Sequence, residues 1–211
     1  GDFDLVVGDI DGTLNFYGND GSDSFTETTS FGSIDVGDLS APAIVDWDSD
    51  GDYDLIVGEN DGTLNFYEND GSDSFTETTD FASIDVGAES TPFVIDWDLD
   101  GDYDLIVGEK SGNLNYYEND GSDSFTEMIG FGSMDVGKSS VVSSVDWDSD
   151  GDNDLVIGDD QGIINYFEND GSDSFENLNS GAIYVGHGSS PVSIDWDDDG
   201  DYDLFVGNSD G

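Results

Sequence analysis

The chain repeats itself with a period of 50, 50 and 49 residues, counted between the starts of one acidic loop at 46, 96, 146 and 195. Self-similarity of this length points to propeller blades or another stacked array, because a unit so short cannot bury both of its own faces and must be covered by neighbours. Each unit reads as four short strands. In the second full repeat, Pro92-Phe-Val-Ile-Asp-Trp97 runs into the acidic loop, and Tyr103-Asp-Leu-Ile-Val-Gly108 leaves it as an almost continuous apolar run. Such a run suits a strand buried on both faces. A turn ending in Gly112 leads to Asn113-Leu-Asn-Tyr-Tyr117, which alternates with period two, and Ser124-Phe-Thr-Glu127 is the outermost strand. No stretch shows helical periodicity between caps. The expected fold is therefore all-β, a β-propeller of four-stranded antiparallel blades, or a slice of a larger propeller or array.

The loop itself reads Asp46-Trp-Asp-Ser-Asp-Gly-Asp-Tyr-Asp54, Asp96-Trp-Asp-Leu-Asp-Gly-Asp-Tyr-Asp104, Asp146-Trp-Asp-Ser-Asp-Gly-Asp-Asn-Asp154 and Asp195-Trp-Asp-Asp-Asp-Gly-Asp-Tyr-Asp203. Carboxylates at loop positions 1, 3, 5 and 9 converge only if the chain bends sharply, and glycine at position 6 permits the bend. An oxygen-only cluster suits a hard divalent cation, and calcium tolerates its geometry better than magnesium. Without a cation the carboxylates would repel one another at close range. The candidate ligands are Asp46, Asp48, Asp50 and Asp54; Asp96, Asp98, Asp100 and Asp104; Asp146, Asp148, Asp150 and Asp154; Asp195, Asp197, Asp199 and Asp203. Asp52, Asp102, Asp152 and Asp201, at position 7, are expected to offer a backbone carbonyl. About four calcium ions per chain follow. The loop is not an EF-hand, whose position 12 is a bidentate glutamate; here that position is Val57, Val107, Ile157 or Val206.

Composition excludes several classes of function. The formal charge is -50, from 52 acids against two basic side chains, so no cationic surface exists to displace counterions from a nucleic acid. Anionic membranes are disfavoured for the same reason, and no apolar run approaches spanning length. The acids are 42 Asp and 10 Glu. That bias suits coordinating turns, which prefer the shorter side chain, better than a general high-salt surface. There is no cysteine, hence no disulfide or thiol chemistry. Loops this acidic would stay largely empty at sub-micromolar cytosolic calcium, which favours an extracellular or cell-surface setting.

The Asp-x-Asp-x-Asp-Gly-x-x-Asp-Leu loop is followed by Val-Gly, then Asp-Gly-Thr-Leu, then Asn-Asp-Gly and Ser-Phe. This succession resembles the FG-GAP/VCBS repeat family, which builds the β-propellers of integrin α-subunits and of many bacterial surface proteins and lectins. The resemblance covers essentially the whole chain. It implies calcium at loop positions 1, 3, 5, 7 and 9 and a role in extracellular adhesion or ligand binding, although members also accompany catalytic domains. Propellers of this family often have seven blades, whereas the chain holds four repeats. The expected organisation is one repeat domain over 1–211, with units of about 1–39, 40–89, 90–139, 140–188 and a partial 189–211. Gly1 to Gly8 copies the second strand of a blade and Gly200 to Gly207 copies it again, as in a slice of a longer array or an overlap between neighbouring molecules. The amino-terminal copy, with Asp2 and Asp4 alone, is expected to be metal-free unless another chain completes it.

Strand alternation sends the acidic loop and the Asn-Asp-Gly-Ser-Asp linkers at 19–23, 69–73, 119–123 and 169–173 to one edge of a blade. Those linkers are turn chemistry first. The other edge varies between repeats, and both lysines and the single histidine fall there: Lys110, Lys138 and His187. They are candidate contacts for a glycan or extracellular protein ligand, weighed against ordinary loop variation. Trp47, Trp97, Trp147 and Trp196 are expected to anchor each loop to its blade, and Phe25, Phe75, Phe125 and Phe175 to supply packing between blades. His187 has no nucleophile signature around it, so no catalytic site is expected. The leading reading is a non-catalytic calcium-binding adhesion or glycan-binding propeller. A structural subunit of a self-associating extracellular assembly comes second, and an accessory domain of a polysaccharide-degrading enzyme third.

Overall fold

A computed structural model describes residues 4–22, 24–29, 34–72, 74–122, 124–131, 134, 136–172, 174–178, 183–197 and 199–210. It divides into two compact units, Gly1–Val94 and Ile95–Gly211. Asp2 of the amino-terminal loop remnant and Asp23, Asp73, Asp123 and Asp173 of the linkers lie outside the described residues.

The first unit holds a three-stranded sheet of β1 (Leu5–Gly8), β2 (Leu14–Asn19) and β3 (Phe25–Thr28). A four-stranded sheet follows, of β4 (Ala41–Val45), β5 (Asp54–Gly58), β6 (Leu64–Asn69) and β7 (Phe75–Thr78). All pairs are antiparallel between sequence neighbours, with Leu55 opposite Tyr67 and Phe66 opposite Thr78. This is the blade of a β-propeller, as the repeat predicts. β8 (Thr91–Ile95) straddles the division between the units.

The second unit repeats the pattern with β9 (Asp104–Gly108), β10 (Leu114–Asn119) and β11 (Phe125–Met128), then β12 (Val141–Val145), β13 (Asp154–Gly158), β14 (Ile163–Asn169) and β15 (Phe175–Asn177). A short β16 (Ile183–Tyr184) pairs with β14. It has counterparts in single bridges, Thr13 with Asp35 and Thr63 with Asp85, by which the linker returns across the head of the third strand. β17 (Ser189–Ile194) and β18 (Asp203–Asn208) form the last pair.

The apolar second strands are buried on both faces in the internal repeats: every residue of β5, β9 and β13 is buried. Leu55, Ile56, Val57, Leu105, Ile106, Val107, Leu155 and Ile157 are at most 1% exposed. Burying a side chain of this size stabilises by about 1.5–3 kcal/mol. Gly58, which ends β5, lies so near the carbonyl of Ser90 that a β-carbon would overlap it, so the recurrent Val-Gly is a steric requirement.

The tryptophan anchors divide in two. Trp47 packs edge-on against Phe81 and near Phe66, and Trp97 against Phe131 and Tyr116, with ring centres 5.0–6.3 Å apart. Trp147 is 39% exposed and Trp196 70%. Phe75 stacks on Phe16 and Phe175 meets Trp97 and Phe131, as expected of packing between blades, while Phe25 is 52% exposed.

Candidate functional site

Each acidic loop connects the first strand of a blade to the second, and the same bonds shape all four. Glycine at position 6 takes a positive φ of 93–104° at Gly51, Gly101, Gly151 and Gly200. Its N–H donates to Oδ2 of the first aspartate, from Gly51 to Asp46 (3.2 Å), Gly101 to Asp96 (3.2 Å), Gly151 to Asp146 (3.1 Å) and Gly200 to Asp195 (3.1 Å). Position 4 also turns left-handed, at Ser49, Leu99 and Ser149, with φ of 60–63°. These are not glycines, and nothing in their residue type marks the turn.

The ninth-position carboxylate is the loop's clasp. Asp54 Oδ2 accepts Trp47 N (2.9 Å), and its Oδ1 accepts Asn69 N (2.9 Å) from the Asn-Asp-Gly turn. Asn69 Nδ2 returns a bond to the Tyr53 carbonyl (3.1 Å). Asp104 and Asp154 repeat this with Trp97 and Asn119, and with Trp147 and Asn169. Asp4 keeps half of it, accepting Asn19 N at 2.8 Å. The acidic loop and the linker turn are thus one tied edge. Asp54 and Asp104 are at most 1% exposed, and burial pushes both carboxyls above the usual aspartate range. Asp148 rises too, through desolvation and the crowding of Asp150, Asp154 and Asp146.

In every loop three carboxylates offer oxygens within 4.8 Å of one another: Asp46, Asp48 and Asp50; Asp96, Asp98 and Asp104; Asp146, Asp148 and Asp154; Asp195, Asp197 and Asp199. Positions 1 and 3 take part in all four, and position 5 or 9 completes the trio. The carboxylates of Asp52, Asp102 and Asp152 lie instead against Gly71, Gly121 and Gly171 of the linker turns. Two oxygens of these trios, Asp46 Oδ1 and Asp96 Oδ1, are buried and accept no hydrogen bond. A buried acceptor left unsatisfied costs about 1–3 kcal/mol. An all-oxygen donor set with a spare buried lone pair fits a hard divalent cation.

The opposite edge is held by a serine that sequence reasoning missed. Ser90 Oγ accepts Glu59 N (2.9 Å) and donates to the Thr63 carbonyl (2.7 Å). Ser40, Ser140 and Ser189 staple the same turns in their repeats. In the second unit this edge brings together the backbones around the three candidate ligand contacts. Ser139 N donates to the Lys110 carbonyl, Asp160 N to that of Lys138 and Ser209 N to that of His187. The side chains of Lys110, Lys138 and His187 are exposed.

The first unit also has an apolar cavity of about 520 Å³ lined by Val6, Phe16, Tyr17, Leu55 and Phe75, with Asp52 and Asn69 at the acidic-loop edge.

Comparison with known proteins places this geometry. The chain resembles the solved lectin SapL1 in complex with alpha methyl fucoside, at 14% identity and a TM-score of 0.61 over 94% of its length. It also resembles a mutant of the Aleuria aurantia lectin in complex with Fucalpha1-6GlcNAc, at 16% identity and a TM-score of 0.61 over 96%. The chain spans 65% and 66% of those two structures, and the likeness is one of fold. Among curated proteins none matches it. A family model described as "FG-GAP-like repeat" matches residues 46–107 and again 96–157, more than half of the chain and three of the four acidic loops. With its blade order, its clasped acidic loops and these two matches, the chain belongs to the FG-GAP-like repeat family.

Proposed function

We propose that the protein is a non-catalytic, calcium-binding extracellular propeller that recognises a glycan. The observation that carries the metal half is the pair of buried, unpartnered oxygens, Asp46 Oδ1 and Asp96 Oδ1, each within a trio of converging carboxylates. Calcium, when bound, would supply the positive charge those oxygens lack and satisfy them. The first and third aspartates present oxygens, the position-6 N–H holds the first carboxylate in place, and the ninth ties the loop to the linker turn. A built, repeated cation site of this kind serves to rigidify an edge of the blade.

The glycan half is supported by the fold shared with two sugar-complexed lectins and by the exposed Lys110, Lys138 and His187 on the loop-rich edge. The chain's charge directs the choice of sugar, since a surface of -50 disfavours anionic saccharides and leaves neutral ones. In this reading the converging acids serve as cation trios, and catalysis is assigned to none of them.

The test is a calcium titration followed by a glycan array. Native mass spectrometry of the whole chain should show about four calcium ions, and a neutral glycan should be retained with calcium present. Replacing Lys110, Lys138 and His187 together with alanine should weaken retention without changing the melting temperature. A chain that takes up no calcium at millimolar concentration refutes the metal half. Retention of no neutral glycan by the calcium-loaded chain refutes the other.

A further inference from the structure

The four acidic loops share one sequence pattern but differ in which carboxylates meet. In the loops at 96–104 and 146–154 the ninth-position aspartate joins the trio; in those at 46–54 and 195–203 it does not, and the exposed fifth-position aspartate takes its place. A second difference runs parallel to the first. Third strands carry tyrosine in two repeats, and Tyr116 Oη donates to Asp104 Oδ2 (3.2 Å), as Tyr166 Oη does to Asp154 Oδ2 (3.1 Å). The corresponding residue in the preceding blade is Phe66, which has no hydroxyl to donate to Asp54.

We propose that Tyr116 and Tyr166 sort the acidic loops into two affinity classes, by holding the ninth-position carboxylates Asp104 and Asp154 in the cation site. The inference rests on the calcium reading above. Its physical basis is pre-organisation. Asp104 is held by three donors: Trp97 N at 3.0 Å, Asn119 N at 2.9 Å and the phenol of Tyr116. It is fully buried, so it loses almost no conformational freedom when a cation arrives. Asp54 has two of those donors, from Trp47 and Asn69, and its loop completes the trio with Asp50, an exposed side chain that binding must order. Ordering that side chain on binding weakens the site, and losing a hydrogen-bonded partner of a ligand typically lowers metal affinity about 10- to 100-fold. Tyr116 and Tyr166 touch no cation in this scheme; they are positioning residues acting through a ligand.

The test is a calcium titration of the whole chain by calorimetry, with terbium luminescence, sensitised by the nearby aromatic rings, as a second readout. Wild type should show two tight and two weaker sites. Tyr116→Phe and Tyr166→Phe should each move one site from the tight class to the weak one, with a 10- to 100-fold loss. Phe66→Tyr should move one site the other way, an outcome that a merely structural role for the ring cannot produce. Each variant is checked by far-ultraviolet circular dichroism, and the sites in the untouched loops serve as internal controls for folding. Four sites of one affinity, or a class count unchanged by all three substitutions, overturns the proposal while the calcium reading stands. No binding by wild type overturns both.

Discussion

Removing calcium is the perturbation with the largest expected effect on this fold. Each of four loops gathers three carboxylates within 4.8 Å, and two of the loops bury an oxygen with nothing to accept from. A ligand that binds only the folded state stabilises it by about 2.7 kcal/mol at a hundred times its dissociation constant. Four independent sites then contribute roughly 11 kcal/mol, comparable with the net stability of an ordinary domain. For a chain of this length about 1 kcal/mol corresponds to roughly 2–4 °C in melting temperature, so full chelation should lower it by roughly 20–40 °C or unfold the chain outright. The assay is a thermal melt followed by circular dichroism, in millimolar calcium and in excess chelator. Sodium chloride screens charges separated by more than about 10 Å at 0.1 M but coordinates nothing, so it should restore only part of the loss. Full restoration by sodium chloride in the presence of chelator would refute the reasoning, and the loops would then be acidic turns stabilised by ionic strength alone.

Three further outcomes follow from particular residues. Ser140→Ala removes the acceptor of Glu109 N at a fully buried position and should destabilise by about 1–3 kcal/mol in a denaturant titration, whereas Ser122→Ala, at an exposed position in the linker turn of the other edge, should cost less. Leu99 is 70% exposed with φ of 61°, so Leu99→Asn should stabilise the calcium-loaded chain by about 1 kcal/mol through relief of left-handed strain, measured as a higher denaturant midpoint at unchanged calcium stoichiometry. The carboxyls of Asp54 and Asp104 are raised by burial, so without calcium their contribution favours the fold below the unfolded aspartate value near 4 and is lost as pH rises through the folded values; the chelated chain should melt higher at pH 4 than at pH 7, and calcium should reverse that order.

The blade order, the buried second strands and the converging acidic loops were legible because each is written in residue type. Apolar runs mark β5, β9 and β13, and the glycine at position 6 marks the bend that the backbone makes at Gly51. What escaped was geometry that residue type does not encode. Ser49, Leu99 and Ser149 take a left-handed conformation because the bend demands it, and no serine or leucine advertises that. Ser90 and Ser140 look like ordinary linker serines until the returning chain sets them beneath the turn of the blade before, 31 residues away. The exposure of Trp147 and Trp196 likewise escaped, since the same Asp-Trp-Asp stands in all four loops.

The two edges of the blade divide the work through the same economy of short polar side chains. At the acidic edge a carboxylate spans the loop and the linker turn: Asp54 holds Trp47 N with one oxygen and Asn69 N with the other. At the opposite edge a hydroxyl does the equivalent task, Ser90 bridging Glu59 N and the Thr63 carbonyl. The hydroxyl staple is neutral and complete in itself, so the turns it anchors can vary in sequence, as Glu59, Glu109 and Asp159 and their neighbours do. The carboxylate clasp is charged and stands beside other charges, so its loop cannot vary freely: each further aspartate raises the repulsion that the loop must hold. Four calcium ions would cancel eight of the fifty net negative charges, leaving 42. A bound cation would therefore act on local crowding far more than on total charge. That is why calcium, rather than ionic strength, should set stability, and why a ligand-binding surface is better built on the edge whose integrity does not depend on the metal.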